Sequence, residues 1–413
     1  MFTLLKSILL AIDPTTKVQP FTSLRAVLAF ITAFVAVWLI GPKVIATLYR
    51  RGFRDLPREY MDSFASSKTG TPTMGGVIIV LGVVGAALTC CDLGSKPVPL
   101  LLLATFFFAG IGAMDDVQKV RRKQSDSGMS RKIKLLAQGL FGAFFALLVV
   151  ADGSSPFGEA GRTELFVPIA SPVFGWRPDF GPFGYALFII GVFLAVSNAV
   201  NFADGLDGLA VVPAAFSVAV YGAVAYLIGS KTFAADLGLA HRPVLGEAAV
   251  YAAGVLGACT GFLWFNGYPA SVFMGDTGSM ALGGTLAALA VLTKQELLFL
   301  VVGGVFVYEF LSVLIQDTIG VGRLGRRLFF RAPAHHSFQH QGVSETKVVL
   351  RFWIVSLILA LIALGALTAG PRFGGEVRPL KTGESSVSPG GDAASGPGKS
   401  PIGHAEESTP RAR

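Results

Sequence analysis

The sequence predicts an all-α polytopic membrane protein. Of its 413 residues, 52% are hydrophobic and only 15% are charged, and the mean hydropathy is +0.62. These values lie outside the usual range for soluble domains. Apolar stretches of about 20 residues, the length that a helix needs to cross a bilayer, recur along the chain. The 50 glycines fit this class because small residues allow membrane helices to approach closely.

We expect about ten transmembrane helices. Their approximate spans are residues 24–48, 74–92, 97–114, 133–152, 182–200, 208–229, 247–265, 277–293, 296–319 and 347–370. Residues 152–181 are rich in Gly and Pro, which predicts a small extramembrane hairpin or an irregular lid. Almost no large apolar side chains follow residue 371. We therefore expect a transmembrane domain over residues 1–370 and a disordered polar tail over residues 371–413.

The distribution of Lys and Arg predicts the orientation. The loops after the first, third and ninth spans hold most of these residues, whereas the intervening loops hold six. Because basic loops stay in the cytoplasm, both termini are expected outside. The net charge of +8 is confined to loops and does not form one soluble basic face. We therefore expect contact with anionic lipid or phosphate and no nucleic-acid partner.

The stretch NAVNFADGLDG, residues 198–208, places two amides and two acids at a predicted membrane boundary. Asn198, Asn201, Asp204 and Asp207 recur every three residues, so in a helical turn they share roughly one face. Burying such groups in hydrocarbon is costly, so they should face an aqueous cleft, one another or a cation. A polar loop that returns to the bilayer is the alternative interpretation.

The loop before the second span ends in KTGTPTMGG, residues 68–76. It starts with a cation, Lys68, and continues with hydroxyls and glycines that include Thr71 and Gly75. This pattern at the start of a helix suits backbone contact with an anion. An ordinary Gly/Pro-rich entry turn remains the alternative.

The third predicted span ends in Asp115 and Asp116. Adjacent acids at a helix C-terminus are disfavoured by the helix dipole and by each other, so a positive group should compensate them. A divalent cation could do so, as could the nearby basic side chains, among them Lys119, Lys123 and Lys134. A solvated acidic helix end is the alternative.

The stretch NGYPASVFMGDTGS, residues 266–279, begins with Asn266 and places Asp276 between two glycines just before a span. Asp276 could be a metal ligand or an N-cap. Phe273 could pack in the core or form a platform for a planar base. These two residues add an acid and an aromatic group to the same cytoplasmic side.

The loop before the last span reads APAHHSFQH after Arg331. His335, His336 and His340 are three of only five histidines in the chain. A surface His pair is usually without function, but this pair falls on the same predicted face as the acids.

Hard oxygen donors with a basic rim predict Mg²⁺, which takes one or two carboxylates and completes its shell with water and substrate phosphates. The three cysteines lack metal-ligand spacing. The combination predicts phosphoryl chemistry, in which the protein mainly positions groups and neutralises charge. A site between spanning helices would admit a lipid substrate sideways and a soluble one from the cytoplasm.

Together with DDVQKVRRK and KLLAQ, these motifs resemble the phospho-N-acetylmuramoyl-pentapeptide transferase family, within the polyprenyl-phosphate N-acetylhexosamine-1-phosphate transferase superfamily. The resemblance covers roughly residues 20–370. It implies Mg²⁺-dependent transfer of phospho-MurNAc-pentapeptide from UDP-MurNAc-pentapeptide to undecaprenyl phosphate, giving lipid I and UMP for peptidoglycan synthesis. It also implies the bacterial cytoplasmic membrane, a site facing the cytoplasm, and compatibility with a homodimer.

The resemblance implies roles for individual residues. Asp276 matches the magnesium-binding acid, Asp115 and Asp116 match the essential acidic pair, and Asn201 and Asp204 match positions that line the nucleotide pocket. We expect Asp115 to deprotonate or orient the lipid phosphate and Asp204 to be a second metal ligand. The full catalytic set expected is Asp115, Asp116, Lys68, Asp204, His335 and His336. The substrate-binding set expected is Asn198, Asn201, Asp207, Asn266, Phe273 (associated with uracil), Lys119, Lys123, Lys134, Thr71 and Gly75. Ser337 and Gln339 stand where the family has a third His and a Glu.

Three other functions remain open at this point. A sister enzyme would use the same metal chemistry with another UDP-N-acetylhexosamine. An ion-coupled transporter would need acids along the depth of several helices, but Glu309 is the main acid inside a predicted span. A structural scaffold would give no reason for acids gathered on one face.

Overall fold

The structure is a computed structural model and describes residues 22–54, 70–122, 128–151, 162–168, 171, 176–237, 239 and 241–368. Two residues predicted for the site, Lys68 and Lys123, lie outside the described residues, as does the predicted polar tail.

The described part of the chain is helical, which confirms the predicted fold class. Its helices are α1 Thr22–Arg50, α2 Gly76–Cys90, α3 Pro97–Arg122, α4 Arg131–Val150, α5 Gly181–Ala203, α6 Val211–Gly229, α7 Lys231–Asp236, α8 Leu245–Asn266, α9 Gly275–Thr293, α10 Phe299–Val302, α11 Gly304–Ile315, α12 Gly322–Leu324, α13 Ala334–His340 and α14 Glu345–Thr368. Among the described residues, eight helices are long and apolar enough to cross a membrane.

Every predicted span coincides with helical structure, and the ninth is broken. A 3₁₀ turn, Glu296–Leu298, leads into α10, and α11 follows after Gly303. The π-helical segment Gln316–Val321 then continues α11. Such π segments leave the regular hydrogen-bond pattern and are frequent near functional sites.

Several helix boundaries differ from the prediction, and two of them bear on the site. Helix α3 continues to Arg122, eight residues past its predicted end, so Asp115 and Asp116 lie inside the helix and not at its C-terminus. The predicted end lies where the apolar stretch stops. The polar residues that follow include good helix formers such as Lys and Arg, so the helix continues. Helix α5 ends at Ala203, because Gly205 and Gly208 follow and Gly208 adopts a φ of 74°.

Helix α9 forms the centre of the bundle, since every residue from Thr277 to Thr293 is buried. It packs against α2, α3, α5 and α6. Glycines permit this close approach: a Cβ on Gly112 of α3 would lie 2.0 Å from the Asp276 carbonyl oxygen, and one on Gly76 of α2 would lie 2.1 Å from the Gly278 nitrogen. The N-terminus of α9 is thereby held against α2 and α3.

The opposite end of the bundle is fastened by buried polar contacts. Arg25 of α1 binds both carboxylate oxygens of Glu247 of α8 at 2.6 Å and also donates to the Cys90 carbonyl. Residues 162–168 and 176–180 pair through an antiparallel bridge between Glu164 and Asp179, in agreement with the predicted hairpin. Lys294, at the end of α9, donates to the Glu164 carbonyl. Helix α9 is about 28 Å long at ~1.5 Å per residue, so this end of the bundle is far from Asp276, which lies at the other end of the helix.

Candidate active site

The site is built around the N-terminus of α9. Residues 72–76 and 272–275 run side by side there: the Phe273 N–H donates to the Pro72 carbonyl, and the Gly75 and Gly76 N–H groups donate to the Phe273 and Met274 carbonyls, each at 2.8 Å. Gly275 has a φ of 71°, and a Cβ there would lie 2.8 Å from Asp116 Oδ2. Only glycine suits this conformation and this proximity. The TPTMGG motif thus fastens the loop that presents Asp276.

Asp276, in the first turn of α9, is bound by two lysines. Its Oδ2 lies 2.8 Å from Lys134 Nζ of α4 and 3.1 Å from Lys119 Nζ of α3. Its Oδ1 accepts a hydrogen bond of 3.1 Å from Asn201 Nδ2. A helix N-terminus favours an anion. Side chains from three different helices therefore converge on one carboxylate. Lys134 Nζ also donates to Asn201 Oδ1 at 3.3 Å.

Asp115 is the second acid of this cluster. Its Oδ2 lies 2.7 Å from Lys119 Nζ, one helical turn along α3, and its Oδ1 accepts the Met129 N–H at 2.7 Å. The carboxyl groups of Asp115 and Asp276 are also within hydrogen-bonding reach of each other. Two carboxylates this close repel unless a proton or a cation lies between them. Lys119 bridges the pair in this arrangement.

Asp116 has a different role from its neighbour. Its carboxylate accepts hydrogen bonds from the Asp276 N–H at 3.1 Å, the Thr277 N–H at 2.9 Å and the Thr277 hydroxyl at 2.7 Å. The two N–H groups belong to the first turn of α9, where backbone N–H groups have no acceptor within their own helix. Asp116 therefore caps α9 from another helix. Thr277, the residue after Asp276, gave no separate signal in the sequence, so this partner of Asp116 was not predicted.

The two asparagines of α5 share a face, as predicted. Asn201 donates to Ser279 Oγ at 2.9 Å in addition to its bond to Asp276. Asn198 lies one turn deeper, where its Nδ2 donates to Gln138 Oε1 at 2.7 Å. Gln138 is buried and was not among the predicted site residues. Asn198 thus supports the site through Gln138, whereas Asn201 belongs to it.

Asp204 and Asp207 do not continue that face, because α5 has ended. Asp204 is the C-cap residue, and its N–H donates to the Asn201 carbonyl at 3.2 Å. Asp207 is buried and accepts the Ala270 N–H at 3.0 Å. Asn266 accepts the Gly208 N–H and donates to the Val272 carbonyl. Asp207 and Asn266 thus tie the turn after α5 to the loop before α9.

The predicted histidines lie on α13. His335 is fully buried beside Glu309 of α11, whereas His336 is half-buried and its Nδ1 lies 3.0 Å from Gln339 Oε1. Ser337 exchanges hydrogen bonds with the backbone N–H and carbonyl of Arg331. The two residues that depart from the family pattern therefore both have local partners.

The structure thus brings one group of predicted residues into a single hydrogen-bonded network: Asp115, Asp116, Lys119, Lys134, Asn201 and Asp276. Phe273 and Gly75 lie in the loops that hold this network. Thr71, four residues before Gly75, is half-buried. Asn198, Asp207 and Asn266 have structural contacts around it.

The donor set fits a hard divalent cation such as Mg²⁺. Within the described residues no three or more His, Cys, Asp or Glu are arranged as a complete metal cage. Mg²⁺ does not require one, because it binds through one or two carboxylates and fills its shell with water and phosphate oxygens. Asp276 and Asp115 supply two adjacent carboxylates of this kind. The three acids and two lysines together leave one formal negative charge in the cluster.

Comparison with known proteins finds matches over most of the chain. A model described as glycosyl transferase family 4 matches residues 98–294, and phospho-N-acetylmuramoyl-pentapeptide-transferase signature 1 matches residues 68–80. The chain is 43% identical over 353 residues to the phospho-N-acetylmuramoyl-pentapeptide-transferase of Desulfotalea psychrophila, which covers 84% of this chain and 94% of that protein. The protein of the same name from Phenylobacterium zucineum is 39% identical over 356 residues, 86% of this chain and 95% of the relative.

Identity of this extent over nearly the whole length of the relatives shows common descent, and the matched signature includes the loop that fastens Asp276. The chain belongs to the phospho-N-acetylmuramoyl-pentapeptide-transferase family.

Proposed function

We propose that this protein transfers phospho-MurNAc-pentapeptide from UDP-MurNAc-pentapeptide to undecaprenyl phosphate, producing lipid I and UMP for peptidoglycan synthesis. The observation that carries the proposal is the convergence of Asp115 and Asp276 on Lys119 at the N-terminus of α9. Acids and amines in one partly buried cluster suit the binding of a pyrophosphate and the positioning of a phosphate nucleophile. The relatives described above are named phospho-N-acetylmuramoyl-pentapeptide-transferases, which supports the transferred group.

Each residue of the network has its own proposed role. The Lys119 and Lys134 ammonium groups neutralise phosphate oxygens of the nucleotide-sugar substrate. Asp115 orients or deprotonates the phosphate of the lipid carrier. Asn201 holds the Asp276 carboxylate at 3.1 Å in a fixed orientation. Asp116 acts indirectly, because its carboxylate fixes the turn that carries Asp276.

Magnesium is the cofactor we propose. Asp276 and Asp115 would hold the ion, with water and substrate phosphates completing its shell. When bound, Mg²⁺ neutralises charge on the pyrophosphate and its leaving group. Because Lys119 and Lys134 contact the Asp276 oxygen at 3.1 and 2.8 Å, we expect these amines to move toward the phosphates when the ion is present. Asp204, the C-cap residue of α5, stays the predicted second metal ligand.

The proposed location is the bacterial cytoplasmic membrane, with the site facing the cytoplasm. Support comes from the positive-inside rule, which favours the cytoplasm for basic residues, since Lys119 and Lys134 both lie at the end of the bundle that holds Asp276. Phosphate-bearing substrates made in the cytoplasm would then reach the site directly, and the lipid carrier would enter between helices.

Product analysis tests the proposal. Purified protein is supplied with undecaprenyl phosphate and either radiolabelled UDP-MurNAc-pentapeptide or radiolabelled UDP-GlcNAc. Labelled lipid and UMP from the first substrate alone would support it. Turnover of UDP-GlcNAc alone would identify a sister enzyme and overturn the proposed substrate. Repeating the reaction with EDTA, and then with excess Mg²⁺, tests the cofactor, because retained activity in EDTA would contradict a magnesium requirement.

A further inference from the structure

Glu309 and His335 form an unusual pair inside the bundle. Both side chains are fully buried, with exposed fractions of 0%. Glu309 Oε1 accepts the His335 backbone N–H at 3.1 Å, and Glu309 Oε2 lies 3.2 Å from His335 Nδ1. The second contact has the separation of an ion pair but not the alignment of a hydrogen bond, and neither ring nitrogen has a hydrogen-bond partner among the described residues.

Burial makes this arrangement informative. A carboxylate without a counter-charge is very costly in a buried site, and so is a protonated imidazole. Glu309 Oε2 and His335 Nδ1 lie 3.2 Å apart, within reach of sharing a proton or a charge. No group in the described part of the chain hydrogen-bonds Glu309 Oε2. The two residues therefore depend on each other.

The far edge of the His335 ring packs against the turn that follows α5. A Cβ on Gly205 would lie 2.1 Å from His335 Nε2 and 2.7 Å from Cε1, so the ring occupies the space where a side chain would be. Gly205 lies between Asp204 and Asp207 in the sequence. The His335 imidazole thus packs directly against the backbone of the NFADGLDG motif at Gly205.

The same turn is held on its other sides by different contacts. Leu206 and Leu209 pack in a small apolar cluster with Val305 of α11 and Phe352 of α14. The Asp207 N–H donates to Glu345 Oε1 at 3.2 Å. The Glu309–His335 pair adds a second polar contact to the turn and links it to α11, which carries Glu309.

We propose that Glu309 and His335 are positioning residues, a buried acid–imidazole pair that sets the place of residues 204–208 relative to the network around Asp276, and that the His335 side chain does not touch substrate. The inference rests on the proposed function only in that the turn serves that reaction. It predicts that Glu309, His335 and Gly205 act as one unit.

Two double-mutant cycles test the pair in the full-length protein. Glu309→Gln and His335→Gln should each lower kcat by about tenfold or more with KM for the nucleotide-sugar changed less than about twofold. The double variant should lose no more than the worse single variant, because either change already breaks the pair. His340→Gln, an exposed histidine on the same helix, is the matched control and should retain wild-type kcat.

The second cycle uses the contact with Gly205. Gly205→Ala should lower kcat in the wild-type background and cause no further loss in a His335→Ala background, where the added methyl has room. Gly191→Ala on α5, where a Cβ would meet nothing within 4 Å, is the control. Losses that multiply in either cycle, or a His335→Gln variant that is inactive while Glu309→Gln is fully active, would overturn the proposal.

Unfolding temperatures of the same variants give the coupling without any substrate. Non-additive shifts between positions 309 and 335, and between 205 and 335, support the pair, and additive shifts contradict it. A wild-type protein that fails to use UDP-MurNAc-pentapeptide would refute the proposed function alone, since the thermal cycles report on the pair independently.

Discussion

The capping of α9 by Asp116 leads to a prediction that separates two adjacent acids. Asp116 accepts three hydrogen bonds from the first turn of α9, at 3.1, 2.9 and 2.7 Å, and its side chain is buried. In Asp116→Asn an NH₂ group replaces one acceptor oxygen and faces backbone donors. Hydrogen bonds to a charged group contribute about 1.5–3 kcal/mol each, so losing one and weakening two should lower the free energy of unfolding by about 2–4 kcal/mol.

Asp115→Asn is the matched control, with the same chemical change one residue away. Asp115 accepts one backbone N–H, from Met129, and its other oxygen faces Lys119 in the reactive cluster. We expect this variant to lose transfer activity with less than about half the stability loss of Asp116→Asn. Unfolding is followed by circular dichroism in detergent over a titration with SDS. Equal stability of Asp116→Asn and wild type, with activity lost, would refute the capping role and assign Asp116 to the chemistry.

Three further predictions concern packing, the far end of the bundle and the second lysine. Gly112→Ala should destabilise by about 1–3 kcal/mol and lower turnover, because its Cβ would lie 2.0 Å from the Asp276 carbonyl; Gly110→Ala, with nothing within 4 Å, should be neutral or stabilising. Arg25→Met removes the guanidinium from Glu247, whose side chain is 15% exposed and then keeps only the Asp92 N–H as a donor in the described part of the chain, and should cost about 3 kcal/mol. Arg131→Met breaks an exposed pair and should change stability by under about 1 kcal/mol; equal effects would contradict the burial argument. Lys134→Met should lower kcat by about a hundredfold or more with the helical content unchanged, and near-normal turnover would exclude this amine from phosphate binding.

Much of the fold could be predicted from the sequence because membrane helices depend on a simple property, the length of an apolar stretch. The same property fails where polar residues continue a helix: nothing in hydropathy shows that α3 extends through Asp115 and Lys119 to Arg122. That extension matters, since it places Asp115 and Lys119 one helical turn apart and allows the ion pair of 2.7 Å. The glycines after Asp204 explain why the helix ends at Ala203, so that Asp204 and Asp207 do not share the helical face of Asn198 and Asn201. These glycines are visible in the sequence, but the prediction gives more weight to the regular spacing of three.

The candidate site could be gathered from its motifs, but the role of each member could not. Asp115 and Asp116 are equivalent in the sequence, and only the tertiary contact shows that one faces the lysines while the other caps α9. His335 similarly reads as an exposed active-site residue, and its burial against Gly205 depends on the path of a loop that no local pattern encodes. Partners far apart in sequence decide these roles.

The central claim is that Asp276 anchors a magnesium-dependent phosphoryl transfer. The most direct measurement is the release of UMP, together with labelled lipid, from UDP-MurNAc-pentapeptide and undecaprenyl phosphate by wild type and by Asp276→Asn, across a titration of Mg²⁺. We predict saturable dependence on Mg²⁺ for wild type and no product from the folded variant, because a neutral amide replaces a charged ligand of the same volume. Substantial turnover by Asp276→Asn at any Mg²⁺ concentration would contradict the claim.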